Sequence, residues 1–242
     1  MKKNLLLLAV AFLSIHSLQA QKLKALLDKV PKSTTTGTSG KLSNEEIING
    51  LKEALRVGTD SSTKRLSKLD GFFKDAAIKI LMPEEAKKME KTLRNVGMGS
   101  VVDKAILSMN RAAEDAANGV GNIFWDAIKQ MSITDGLQIL QGGDFAATNY
   151  LKSVTTKELT EKFRPVIEAS LVKVDATKYW KDVFTAYNMF STTPINTDLT
   201  AYVTDKALSG LFYNISLEEQ KIRKNPSAQV TDILKKVFGT KI

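Results

Sequence analysis

The sequence predicts an all-α fold: an irregular globular bundle of about ten helices with at most one very short extended segment. Three observations carry that expectation. Apolar residues recur three and four apart, as in Ile47, Leu51, Ala54 and Leu55. The punctuation is helical, with Ser, Asp and Asn before apolar runs, Pro in first turns and Gly at ends. No series of alternating strands is present, and nothing recurs at the roughly 34–47-residue periods of helical solenoids.

In chain order, Met1-Lys2-Lys3, the apolar run Leu5–Ile15 and the small, polar Ser17-Leu18-Gln19-Ala20 form the three parts of a secretory signal peptide, residues 1–20. The apolar run is about half the roughly 20 residues a membrane span needs, so cleavage after Ala20 and a soluble exported chain are expected. Residues 21–41 hold a short amphipathic segment, Lys22–Val30, then Pro31 and the Ser/Thr/Gly tract Lys32–Lys41, which reads as a linker. A single all-α domain is expected over 42–242.

Ser43 and Glu46 fit a capping box that opens the first helix. Gly58 reads as a break before a second helix, which Asp70-Gly71 closes. Ala77–Met82 alternates and reads as the one extended segment, and Pro83 opens a helix at Glu84-Glu85. Val101–Asn118 is a long amphipathic helix, with Gly119 and Gly121 before Ile123-Phe124-Trp125. Thr134–Leu140 is a short helix ending at Gly142-Gly143, and Asp144 reads as the next N-cap. Thr155/Thr156–Lys173 forms another, with a kink expected at Pro165. Tyr179–Phe190, Asp198–Tyr213 and Ser216–Lys224 follow. Asn225-Pro226 opens the last helix, which stops at Gly239.

Composition excludes much chemistry. There is no cysteine, and the only histidine, His16, lies in the signal segment. Ser-His-Asp and Cys-His nucleophiles, His/Cys zinc sites, haem and iron–sulfur ligation are therefore unavailable to the mature chain. Disulfides and a cysteine-linked lipid anchor are excluded too, and no cofactor is expected. The formal charge is +9, or +7 without Lys2 and Lys3. Outside the cytoplasm that favours an anionic envelope partner over nucleic acid, or simply a solvated surface.

On a wheel of about 100° per residue, Val102, Ile106, Met109, Ala113 and Ala116 form a core stripe. Arg111 lies nearly opposite, and Asn110 and Glu114 fall on the flank between. This is a solvated face with a boundary Asn, unless another element covers the flank and makes it a buried network or one wall of a polar pocket. The second candidate is Gly142, Gly143, Asp144 and Thr148. Two glycines before a helix N-terminus can offer backbone N–H groups to an anion, or simply turn a corner between helices. It is not a P-loop, because the Gly-Lys-Ser/Thr ending is missing. Ser61–Lys64 and Ser170–Lys173 match Ser-x-x-Lys but lack the companion motifs of serine–lysine acylating enzymes.

Five blocks occur in an order that resembles the domain-of-unknown-function family 4197: LKEAL (Leu51–Leu55), MNRAAE (Met109–Glu114), QGGDFAAT (Gln141–Thr148), YVTDKALSGLF (Tyr202–Phe212) and KKVFG (Lys235–Gly239). The resemblance runs from about Leu42 to the C-terminus. It departs at Asn118-Gly119, where the family often carries proline. It implies an exported bacterial helical protein with no assigned activity and no catalytic residues to carry over.

The expected function is a periplasmic or secreted, non-catalytic binding or interaction module of the cell envelope. The alternatives are a carboxylate-dependent hydrolase of an envelope polymer, which would need two acids joined by tertiary contact because the neighbours Glu45/Glu46, Glu84/Glu85 and Glu218/Glu219 point about 100° apart on a helix, and a binder of a small polar or anionic ligand. The last would join Asn110, Arg111 and Glu114 to the Gly142–Thr148 corner, so those two segments should lie close together.

Overall fold

Helical structure begins where Ser43 and Glu46 close their capping box. The Ser43 hydroxyl accepts from the Glu46 N–H at 3.2 Å, and the Glu46 carboxylate accepts from the Ser43 N–H at 2.9 Å. The computed structural model describes residues 43–173 and 198–225, with isolated positions such as Trp180 and Phe184 outside those ranges. The signal and linker segments, most of the helix expected over Tyr179–Phe190 and the helix expected after Asn225 lie outside the described residues.

Among the described residues the fold is all-α, with seven α-helices and no strand. They are α1 (Asn44–Leu66), α2 (Lys87–Asn95), α3 (Gly99–Ala116), α4 (Gly121–Gln130), α5 (Ile133–Gln141), α6 (Ala146–Val172) and α7 (Leu199–Lys224). A single 3-10 turn, Glu84–Ala86, precedes α2. None of the described helices is long and apolar enough to cross a membrane.

The described helices are longer than expected because three anticipated breaks are absent. Gly58 lies inside α1, where a Cβ would stand 3.6 Å from the Glu218 Cβ of α7, so it marks a close approach of two helices. α6 runs continuously through Thr155, Thr156 and Pro165, and α7 through Ser216.

The central pair is α6 and α7. α6 buries Ala147, Leu151, Thr155, Leu159, Phe163, Ile167 and Leu171, a row with spacing four. Four residues advance about 400°, so this row winds around the helix and meets different partners along its length. α7 buries a broader face, with Leu199, Val203, Ala207, Leu211 and Ile215 on one row. α1, α3, α4 and α5 pack around this pair. Phe72, Phe124 and Phe163 are fully enclosed, and Phe124 meets Phe212 edge-on at 6.1 Å.

Between α1 and the 3-10 turn the chain is irregular. Ile78, Ile80 and Met82 are buried while Leu81 is exposed, so the expected extended segment keeps the alternation without a partner strand.

Candidate functional site

The Asn110/Glu114 flank of α3 is covered, and the cover is the Asp70–Met82 segment. Asn110 has no solvent exposure. Its side-chain oxygen accepts from the Ile80 N–H at 2.9 Å, and its amide nitrogen donates to the Ile80 carbonyl at 2.8 Å. One side chain thus supplies the two-point pairing that an adjacent strand would give. Glu114, equally enclosed, accepts from the Phe72 and Phe73 N–H groups at 3.0 and 3.1 Å.

Arg111 lies opposite the core stripe, as the wheel placed it, but it is tied down. Its side chain is only 32% exposed and bridges Glu114 at 2.6 Å and Asp70 at 2.7 Å. Asp70 adopts the left-handed conformation with φ of 69°, an uncommon state for a residue other than glycine. The Lys74 ammonium and then the Arg111 guanidinium hold its carboxyl below its ordinary range. These four residues are a satisfied network that fastens a loop to a helix.

The Gly142–Thr148 corner does bind an anion, but one of the protein's own. Glu219 of α7 accepts from the Ala147 N–H at 3.0 Å, the Thr148 N–H at 2.8 Å and the Thr148 hydroxyl at 2.7 Å. Arg223 completes the arrangement, donating to Glu219 and to the Ile139 carbonyl, both at 2.9 Å. A carboxylate at a helix N-terminus offsets its free donors and positive end.

Asp144 is therefore not the N-cap of α6. Phe145 holds that position with no side-chain cap, and Asp144 pairs with Lys224. Gly142 is needed for space: a Cβ there would lie 2.5 Å from that of Ala146. Gly143 has open space around it.

The two predicted segments are not brought together. Asp115, beside Glu114, accepts from the Ser170 hydroxyl at 2.9 Å. Ser170 lies about six turns along α6 from Thr148, roughly 30 Å at about 1.5 Å per residue. No common pocket joins them. Glu219 stood out in the sequence only as half of the adjacent pair Glu218/Glu219; the signal of its role at α6 was a carboxylate on the buried row after Leu211 and Ile215, four residues before Arg223.

The open concave surface lies on the other flank of α3. A groove of about 600 Å³ runs between α2, α3, the end of α6 and the start of α7. Met82, Met89, Leu93, Val101, Met109 and Trp180 give it hydrocarbon and aromatic walls, and Ala105 and Ala112 keep it open. Its few polar groups include Arg111, Asp115, Ser170 and Lys173 at one end and Lys104 along the wall. Lys104 and Lys173 are exposed and form no ion pair among the described residues.

Met82 and Trp180 also line a second groove of about 780 Å³, between Ala77–Glu85 and α7. It is more polar, with Glu84, Glu85, Asp205, Lys206, Tyr202 and Tyr213. The Tyr202 hydroxyl donates to the Leu81 carbonyl at 2.8 Å. Burial, then the nearby charges of Glu85, Glu84 and Asp205, pushes its phenol up to about 12.

The family model described as "Protein of unknown function (DUF4197)" covers residues 41–239. No curated protein matches the chain, and no solved structure does.

Proposed function

Since the chain belongs to the DUF4197 family, whose description assigns no activity, we propose from its geometry that it is a non-catalytic binding module of the cell envelope. Its ligand site is the apolar groove beside α3. The observation that carries this is the groove itself: about 600 Å³, walled by hydrocarbon and edged by a few polar groups, within the roughly 300–1,000 Å³ of small-molecule sites. Three of its lining residues are methionines, whose unbranched chains adapt to flexible apolar ligands.

The N-terminal charge, apolar run and Ala20 boundary support export to the periplasm or medium. Cell fractionation with N-terminal sequencing tests it, and a mature chain beginning at Gln21 is the expected result.

Thermal denaturation of the full chain with amphiphiles, glycan fragments and divalent cations tests the site. A groove ligand at 100 times its Kd should stabilise by about 2.7 kcal/mol. Ala105→Trp, which puts an indole into the groove, should abolish that gain without lowering the unliganded Tm. A gain that survives this substitution places the ligand elsewhere.

A second reading, a carboxylate-dependent hydrolase, draws on Glu84, Glu85 and Asp205 in the polar groove. Two acids about 5–9.5 Å apart are required. Glu85→Gln and Asp205→Asn should each abolish any polymer-cleaving activity if this reading holds.

A further inference from the structure

The apolar groove fixes more than the polarity of its ligand. Its long wall is mainly hydrocarbon, from Met89, Leu93, Val101, Ala105 and Met109, and the Ser108 hydroxyl beside them is turned back to the Ala105 carbonyl at 2.9 Å. Arg111, Asp115, Ser170 and Lys173 gather at one end, with Lys104 and Ser108 farther along α3. The Ser170–Asp115 hydrogen bond of 2.9 Å brings the last turns of α6 against α3 there. Lys173 lies one turn beyond Ser170, and Arg111 one turn before Asp115. Arg111 is committed to Asp70 and Glu114, whereas Lys173 has no carboxylate partner among the described residues.

The groove therefore pairs an apolar length with a cation at its end. We infer that its occupant is a single unbranched acyl chain ending in a carboxylate, with the chain along the methionine wall and the carboxylate at Lys173. This rests on the groove being the ligand site.

The inference is tested with the full chain carrying Trp125→Phe, which leaves Trp180 of the groove as the only tryptophan. Saturated fatty acids of increasing length, and the primary alcohols of matching length, are titrated below their aggregation limits while Trp180 emission is followed. Affinity should rise about fourfold per methylene, the equivalent of about 0.8 kcal/mol, until the groove is filled. Each acid should bind about two- to fivefold more tightly than its alcohol, as fits an exposed ion pair, and salt should erase that difference.

Lys173→Met should make acid and alcohol equal, while Lys104→Met should leave the preference for the acid largely intact. Equal binding of acid and alcohol in the parent protein overturns the carboxylate assignment and leaves the groove as an apolar site. A preference lost in Lys104→Met and kept in Lys173→Met overturns the orientation. No Trp180 response to either series removes the groove as the ligand site. A response to protein concentration alone assigns the groove to a second copy of the chain and overturns the inference.

Discussion

Glu219 makes a quantitative claim about how α6 and α7 are joined. Its side chain is 6% exposed and that of Arg223 14%, so the pair is screened little by water. Glu219→Leu would leave two backbone N–H groups, the Thr148 hydroxyl and most of the Arg223 charge without the partner they have now. Removing one member of a buried pair costs about 3–5 kcal/mol. Arg223 keeps the Ile139 carbonyl, which places the expected cost near the lower end, at about 3–4 kcal/mol.

For a chain of this length about 1 kcal/mol corresponds to about 2–4 °C, so Tm should fall by about 6–16 °C. Glu219→Gln retains the shape and one acceptor oxygen but loses the charge, and should cost about 1–2 kcal/mol. The neighbouring Glu218→Gln is the control. Among the described residues Glu218 pairs only with the exposed Lys221, and its loss should stay within about 0.5 kcal/mol. Differential scanning calorimetry with urea denaturation measures all three. A double-mutant cycle with Thr148→Val should give a coupling of about 0.5–3 kcal/mol. If Glu219→Leu matches the parent, or if the Glu218 and Glu219 substitutions cost the same, Glu219 does not anchor the start of α6.

Two glycines should respond to alanine with opposite signs. At Gly58 the new Cβ finds ordinary contact, 3.6 Å from that of Glu218, so Gly58→Ala should gain about 0.5–1 kcal/mol of helix propensity in urea denaturation. At Gly210 it would stand 2.7 Å from the Phe72 ring and 3.2 Å from the Ile78 Cβ, so Gly210→Ala should lose about 1–3 kcal/mol by the same measurement. Asp70 has a depressed carboxyl pKa in the folded state. Its stabilisation is therefore present above the unfolded value of about 3.9 and lost as pH falls through the lower folded value. The Tm gap between parent and Asp70→Asn should be flat from neutral pH to about 5 and close in stronger acid; a gap that persists there refutes the ion-pair account. Tyr202 has the opposite form. Its phenol is raised to about 12, so its contribution is intact below the unfolded value of about 10 and lost as pH climbs toward 12. Tyr202→Phe should remove that alkaline loss, as followed by circular dichroism.

The class of fold was legible from periodicity, and so were several helix ends, such as the Ser43 cap and the stop at Lys224, but the continuity of the long helices was not, and the reason is specific. Thr155, Thr156 and Ser216 resemble N-caps because their hydroxyls can satisfy free backbone donors. In the structure they turn the other way: Thr155 donates to the Leu151 carbonyl at 2.6 Å and Ser216 to that of Tyr213 at 2.7 Å. A hydroxyl that bonds back to the preceding turn can occupy a helix interior at a slight cost in stability. Which role it takes depends on the packing around it, so α6 and α7 were each expected as a pair of shorter helices, while α1 was divided at Gly58.

The candidate sites follow the same division. The wheel placed Asn110 and Glu114 on a boundary, which is a local property, but could not say what covers them. Their cover, Phe72 to Ile80, is irregular chain with no helical period of its own. Glu219 reaches its partners across more than seventy residues, beyond any window over which spacing is informative. The apolar groove draws on residues from Met82 to Leu199, and no two of its walls form a motif.

The alanine-rich helix α3 joins these observations into one argument. Its core row of Val102, Met109 and Ala116 has a different neighbour on each side. On one flank Ala113, Asn110 and Glu114 fit under the Asp70–Ile80 cover, whose backbone approaches closely enough for direct hydrogen bonds. On the other flank Ala105 and Ala112 line the groove. Close helix packing accounts for small residues on the covered flank. It does not account for Ala105, which remains partly exposed where a leucine would help fill the space. An unfilled apolar face beside a well-packed core is what a ligand-binding wall requires. Arg111 stands at the junction, fastening the loop through Glu114 and Asp70 while lining the groove, so one helix positions both the loop and the site.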